Sequence, residues 1–320
     1  MRITRRDLGK LALAALPAAL RARPNSKFGG VQVGINAPYS FHNLPDSADD
    51  VEKYCIDLGL SAVELRSQPV EEFFGCPIHY STSPAPRPAT PPTPEQREAQ
   101  RAEAAARAQA IEKWRLAAPI DRFQSFRKKY QDAGIAIEIV KFDGIDQFAD
   151  AVVDYAFSLA KTLGARAISC EIPLSKTPRI GEFAAKHKMM VGYHGHTNTQ
   201  SPEAFAAPAS WEKAMSYSRY NGVNLDIGHF VAANNTSPIP FIRQYADRIT
   251  HLHIKDRKMN NGPNTPFGEG DTPVKEVLQL MKREKYPFQA TIEFEYKVPE
   301  GSTVLREIAR CVDYCRKCLE

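Results

Sequence analysis

Five of the chain's eight histidines fall between positions 194 and 253. They sit in three short stretches: VGYHGH with His194 and His196, NLDIGH with Asp226 and His229, and HLHIKD with His251, His253, Lys255 and Asp256. On either side stand Glu171 in CEIP, and Glu293 and Glu295 in IEFEY. Mixed imidazole and carboxylate donors suit a divalent ion such as Mn²⁺, Mg²⁺, Co²⁺ or Zn²⁺. A single His or Asp ending an apolar run is ordinarily a hydrogen-bonded polar group. Five consecutive runs ending in metal-capable residues point instead to one shared metal site. A divalent ion there would polarise a carbonyl and stabilise the enediolate formed when the neighbouring proton leaves. Glu171, Glu293 and His196 are the candidates for moving that proton. His229 is expected beside the metal ligands or against substrate. Lys255 is expected to bind a substrate oxygen or to pair with Asp256. Glu64 and Glu269 are further candidate substrate contacts.

Such residues work together only if the fold brings their runs to one place. The sequence alternates strand and helix: strands are expected at 31–37, 61–67, 135–142, 165–173, 189–196, 222–229, 249–256 and 288–296. Helices are expected at 46–59, 146–164, 180–188, 210–218, 239–247, 272–284 and 301–319. Ser47 is placed to cap the first helix and Gly59 to stop it. The strands are short, apolar and rich in β-branched residues, as buried parallel strands are. Eight such units fit an α/β fold of the (β/α)8 TIM-barrel type, as one domain over 27–320. An open doubly wound sheet is disfavoured, because no G-x-G-x-x-G follows the first strand. A Pro-rich segment, STSPAPRPATPPTP (81–94), and an Ala-rich helix are inserted between strands two and three. The insertion leaves the face where barrel active sites lie, as a lid, a rim helix or a contact in a homo-oligomer. Strand ends converge at the barrel mouth, and residues two apart on a strand share a face. His194 with His196, and His251 with His253, can therefore both point inward. Glu138 and Lys141 on strand three could line the same mouth.

The net charge of +5 is mild, and part of it lies in Arg2, Arg5, Arg6, Lys10, Arg21 and Arg23. No sustained Lys/Arg run remains for a nucleic-acid face. Arg5 and Arg6 lead into LALAALPAAL, which is too short to span a bilayer. Residues 1–26 read as a twin-arginine-type signal, implying export of the folded chain to the periplasm or beyond, with no other membrane association. Export of a folded chain suits a protein that takes up its metal in the cytoplasm. Cys311, Cys315 and Cys318 have no fourth nearby ligand and read as small packing residues of a last helix.

DIGH, HLHIKD, FGEGDTPVKEVL (267–278) and ATIEFE together resemble the xylose isomerase-like TIM-barrel superfamily of sugar phosphate isomerases and epimerases, across about residues 30–320. Inosose dehydratases and endonuclease IV are also members. The resemblance implies a metal held by Glu, Asp, His and Glu from strands five to eight. The last three correspond to Asp226, His253 and Glu293. At the first position this chain has His194 where many relatives have glutamate, and Glu171, one strand earlier, could supply the missing carboxylate. The implied activity is isomerisation or epimerisation of a small sugar or keto-sugar. Elimination from a keto-sugar or 3-keto-glycoside, and a non-catalytic sugar-binding barrel, are the alternatives. Cleavage at abasic DNA would need more ligands and a basic surface.

Overall fold

All eight expected runs form parallel strands, and they close on themselves. In the computed structural model, which describes residues 23–83 and 91–320, they are Val31–Ala37 (β1), Ala62–Arg66 (β2), Ala136–Lys141 (β3), Ala167–Cys170 (β4), Met190–His194 (β5), Asn221–Asp226 (β6), Ile249–Ile254 (β7) and Gln289–Ile292 (β8). Each pairs in parallel with the next, and β1 pairs with both β2 and β8, so the sheet has no free edge. Val33, Ile35, Val63, Val191, Val223, Leu252 and Ile292 are wholly buried between barrel and helices. That burial is why these runs read as apolar rather than alternating. The expected twin-arginine pair, Arg5 and Arg6, lies outside the described residues, as does part of the Pro-rich segment. No described helix is long and apolar enough to cross a membrane.

The helices are Ala48–Leu58 (α1), Ser67–Phe73 (α2), Pro94–Ala117 (α3), Phe123–Asp132 (α4), Asp150–Leu163 (α5), Thr177–His187 (α6), Pro208–Tyr217 (α7), Ile227–Asn234 (α8), Ile239–Gln244 (α9), Val274–Glu284 (α10) and Val304–Leu319 (α11). Ser47 caps α1 through the Asp50 amide, and Gly59 ends it at φ 70°. Two helices depart from expectation. α2 follows β2 directly, ahead of the Pro-rich segment. α8 begins inside DIGH, so His229 lies in the first turn of a helix and not on a strand. The cause is Asp226, whose side chain accepts from the His229 amide and caps α8. The insertion leaves the C-terminal end of β2 as expected. Its helix α3 is anchored near its end by Arg115, which donates to both oxygens of buried Glu71 at 2.7 and 2.9 Å. The six cysteines are unpaired thiols, and Cys311 and Cys315 pack inward from α11.

Candidate functional site

The ends of β5, β6 and β8 and the first turn of α8 place four buried side chains in one group: His194, Asp226, His229 and Glu293, whose donor atoms all lie within 4.8 Å of one another. His194 ends β5. Gly195 follows it because a Cβ there would lie 2.5 Å from the Phe205 carbonyl oxygen and against Trp211. Asp226 ends β6, and its capping bond to the His229 amide, 2.7 Å long, uses Oδ1 only. Glu293 follows β8, with Oε1 accepting from Asn36 Nδ2 at 2.8 Å. Its other oxygen, Oε2, has no hydrogen-bond partner, and neither have Asp226 Oδ2, His194 Nδ1 and His253 Nδ1. Lys255 Nζ stands 3.1 Å from Asp226 Oδ2 and 2.8 Å from Glu293 Oε2, at ion-pair distance without hydrogen-bond alignment. Convergence of two imidazoles and two carboxylates in one buried group, with the Lys255 ammonium as a nearby counter-charge, is a donor set that suits a divalent ion.

His253, on β7, borders this group, with Nδ1 3.1 Å from Glu293 Oε2. Its Nε2 contacts Glu64, and Glu64 also stands 3.2 Å from His251 Nε2. Glu64 and both histidines are fully buried, so Glu64 lies beneath the mouth and not at a substrate-contacting position. It orients His253 so that Nδ1 faces the donor group. Burial pulls the His253 imidazole down, but Glu293 and Glu64 outweigh it and push it up to about 10. Burial pushes the Glu293 carboxyl up, yet His253 and Lys255 hold it well below the carboxylate range. Asp226 is raised to about 6 by burial, against the pull of Lys255. The His194 and His229 rings are held well below the usual imidazole range, first by burial.

Two of the three expected proton-moving residues, Glu171 and His196, occupy the more open side of the mouth, while Glu293 lies in the buried donor group. Glu171 lies just past β4, with its side chain 40% exposed, and His196 is 52% exposed. His196 Nε2 is 3.1 Å from Glu171 Oε2, and fully buried Lys141 donates to Oε1. Burial raises the Glu171 carboxyl, but Lys141 and His196 hold it well below the usual range. The hydrogen bond to Glu171 raises His196. The ring of His196 also lies 4.8 Å from that of His194, so the two histidines of HGH stand together at the mouth. By sequence alone, Lys141 and Glu138 are equivalent candidates for the mouth. Glu138 instead faces Arg166, 3.7 Å away, on the opposite side of β3.

Two further expectations change. Glu269 is exposed and lines a surface cavity against α11 with Tyr296 and Tyr314, away from the mouth. Its loop is turned outward because Asp256 accepts from the Gly268, Gly270 and Thr272 amides. Asp256 is thereby committed, and Lys255, on the opposite face of the chain, pairs with Asp226, Glu293 and Glu295 instead. Several groups at the mouth were not singled out by sequence. Tyr39 donates to Glu295, Arg257 Nη1 meets His229 Nδ1 at 2.6 Å, and Arg66 pairs with Asp143 between the rings of Tyr39 and Tyr80. They come from loops and, for Arg66, from the end of β2, with no repeating signature.

A family model described as a xylose isomerase-like TIM barrel matches residues 25–315. An inosose dehydratase from Clostridium botulinum is 28% identical over 138 residues, covering 37% of this chain and 44% of that protein. The chain thus matches under half the length of that curated relative. Among solved structures, 3-keto-D-glucoside 4-epimerase from E. coli aligns over 90% of this chain and all of its own, with TM-score 0.58 and 10% identity. An IOLI protein with a bound zinc atom aligns over 90% of this chain and 95% of its own, with TM-score 0.53 and 12% identity.

Proposed function

Because this chain belongs to the xylose isomerase-like TIM-barrel family, we propose that it is a divalent-metal-dependent isomerase or epimerase of a sugar or keto-sugar. The observation that carries this reading is the buried group of imidazole and carboxylate donors, with Lys255 as its counter-charge, beside the half-exposed Glu171–His196 pair. His194, Asp226 and Glu293 would hold the ion, with His253 or His229 completing the set and Glu171 at its edge. When bound, the ion supplies Lewis-acid polarisation of the substrate carbonyl and stabilises the enediolate charge.

The remaining chemistry belongs to the side chains. Glu293 is only 4% exposed, with Asn36 on one oxygen and Lys255 near the other, so it serves better as a ligand than as a mobile base. Glu171 and His196 are half-exposed and share a hydrogen bond, so between them they take and return the substrate proton. Lys141 keeps Glu171 ionised and fixed. Tyr39, Arg66 and Tyr80 form a wall that would bind ring hydroxyls and exclude water. The twin-arginine-type segment makes export in the folded state part of this reading.

Dehydration is the second reading, favoured by the name of the curated relative and by the same proton-abstracting pair. One experiment separates them. Metal-loaded protein is incubated in D₂O with keto-sugars and 3-keto-glycosides, and exchange is followed by NMR. Deuterium next to the carbonyl with a new stereoisomer or shifted carbonyl supports the isomerase or epimerase. Exchange with loss of water or of the glycosidic group supports elimination. Sugar binding that is unchanged in Glu171→Gln and Glu293→Gln, with no exchange under any metal, would overturn both in favour of a binding barrel.

A further inference from the structure

The ammonium of Lys255 stands where three buried acceptors and one half-buried carboxylate converge. It is 3.1 Å from Asp226 Oδ2, 2.8 Å from Glu293 Oε2, 2.6 Å from Glu295 Oε2 and 3.0 Å from His229 Nε2. Three of these partners, Asp226, His229 and Glu293, are the same residues that form the candidate donor group with His194. The position is built. Lys255 is 2% exposed, and Gly228 opposite it has no room for a side chain, since a Cβ would lie 2.9 Å from the Lys255 carbonyl oxygen and 3.0 Å from its Cγ. Glu295 differs from the other two carboxylates. It lies outside the donor group, at the rim, where Tyr39 and Asn264 donate to it.

We propose that Lys255 is the resident cation of the metal-free site, competing with the divalent ion for Asp226 and Glu293 and retreating to Glu295 when the ion binds. The inference rests on the metal reading above. The reason is charge balance. Two carboxylates buried within 4.8 Å of each other cannot both stay ionised without a cation among them. A lysine supplies that cation from within the chain, keeping the mouth folded and its ligands in place before metal arrives. A divalent ion and an ammonium at such distances repel, so the lysine needs a second carboxylate to move to, and Glu295 is already in contact with it. The lysine is thus a positioning residue that sets metal affinity. Its location explains why the Lys of HLHIKD follows the strand that carries His253, one residue from a carboxylate that faces the other way.

The test is calorimetric titration of chelator-stripped full-length protein with Mn²⁺ and, separately, Zn²⁺. Lys255→Met is expected to bind tighter than wild type by about tenfold or more, because the competitor is gone. Its stripped form is expected to melt lower than wild type and to recover on adding metal. Glu295→Gln is expected to bind more weakly, because the ammonium has lost its retreat. That loss should vanish in the double variant, where no ammonium remains. Equal or weaker metal binding by Lys255→Met would overturn the proposal while leaving the metal site standing. So would a Glu295→Gln loss that persists undiminished in the double variant. Should Lys255→Met not fold without metal, Glu295→Gln alone decides, and unchanged or tighter binding there overturns the proposal. Absence of binding by wild type and Lys255→Met alike, for both ions, would overturn the metal reading and this inference with it.

Discussion

At the level of single residues, His253 joins two layers of the barrel: Glu64 below it and Glu293 above it. Both carboxylates hold it protonated up to about pH 10, although burial alone would lower it. A metal-ligating nitrogen must be free of its proton, so metal uptake through His253 expels one. The sign follows directly. Below pH 10 the proton competes, and affinity rises with pH by about tenfold per unit. Asp226, raised to about 6, adds a second proton below that value, so the slope steepens there. Titration with Mn²⁺ between about pH 5.5 and 7.5 checks this, and a flat profile would remove His253 from the ligand set. Glu64 acts on the same ring from behind. Glu64→Gln should weaken metal binding by about 10–100-fold, the usual effect of losing a carboxylate that orients a ligating histidine. An unchanged affinity would show that the ring is held by packing alone.

At the level of elements, the part of the site on strands was legible and the part on turns was not. His194 and Asp226 end apolar runs, His253 sits one residue before the end of β7, and their inward direction follows from period-two alternation. Ser47 and Gly59 bracketed α1 because caps leave a local signature. His229 was misplaced because Asp226 reads as a strand residue and also serves as an N-cap, and the sequence DIGH shows only the first role. α2 was missed because SQPVEEF carries Pro69 and sits against a Pro-rich stretch. The roles of Lys141 and Lys255 depend on side chains from distant strands and leave no periodic trace. The double role of Asp226 yields a separable expectation. Asp226→Ala removes both the cap and the ligand and should cost about 1 kcal/mol of stability from the cap alone. Asp226→Asn keeps an acceptor for the His229 amide. The two variants should lose metal binding alike, while thermal melting of the stripped proteins places the Asn variant above the Ala variant. The reverse order would mean that the cap contributes nothing and that α8 is fixed by packing.

At the level of the whole molecule, the donor group draws on the ends of β5, β6 and β8, with β7 beside it, in a sheet that has no edge. Opening any one of these strands breaks the closure that the others depend on. An ion bridging their ends therefore stabilises the barrel as a unit, and not one loop. Linkage gives the size: ligand at a hundredfold excess over its Kd contributes roughly 2.7 kcal/mol. For a domain this large, that corresponds to a rise of roughly 4–5 °C in melting temperature. Scanning calorimetry of stripped and Mn²⁺-loaded protein should show one transition, moved upward as a whole. The insertion helix α3 provides the internal contrast. Most of its length is exposed, and it is tied to the barrel by Arg115 on Glu71. Arg115→Ala leaves Glu71 buried without its partner and should lower the transition of stripped and loaded protein alike, leaving the metal-induced rise intact. A metal-induced rise that disappears in that variant would mean that the insertion, and not the barrel, carries the coupling between the ion and the fold.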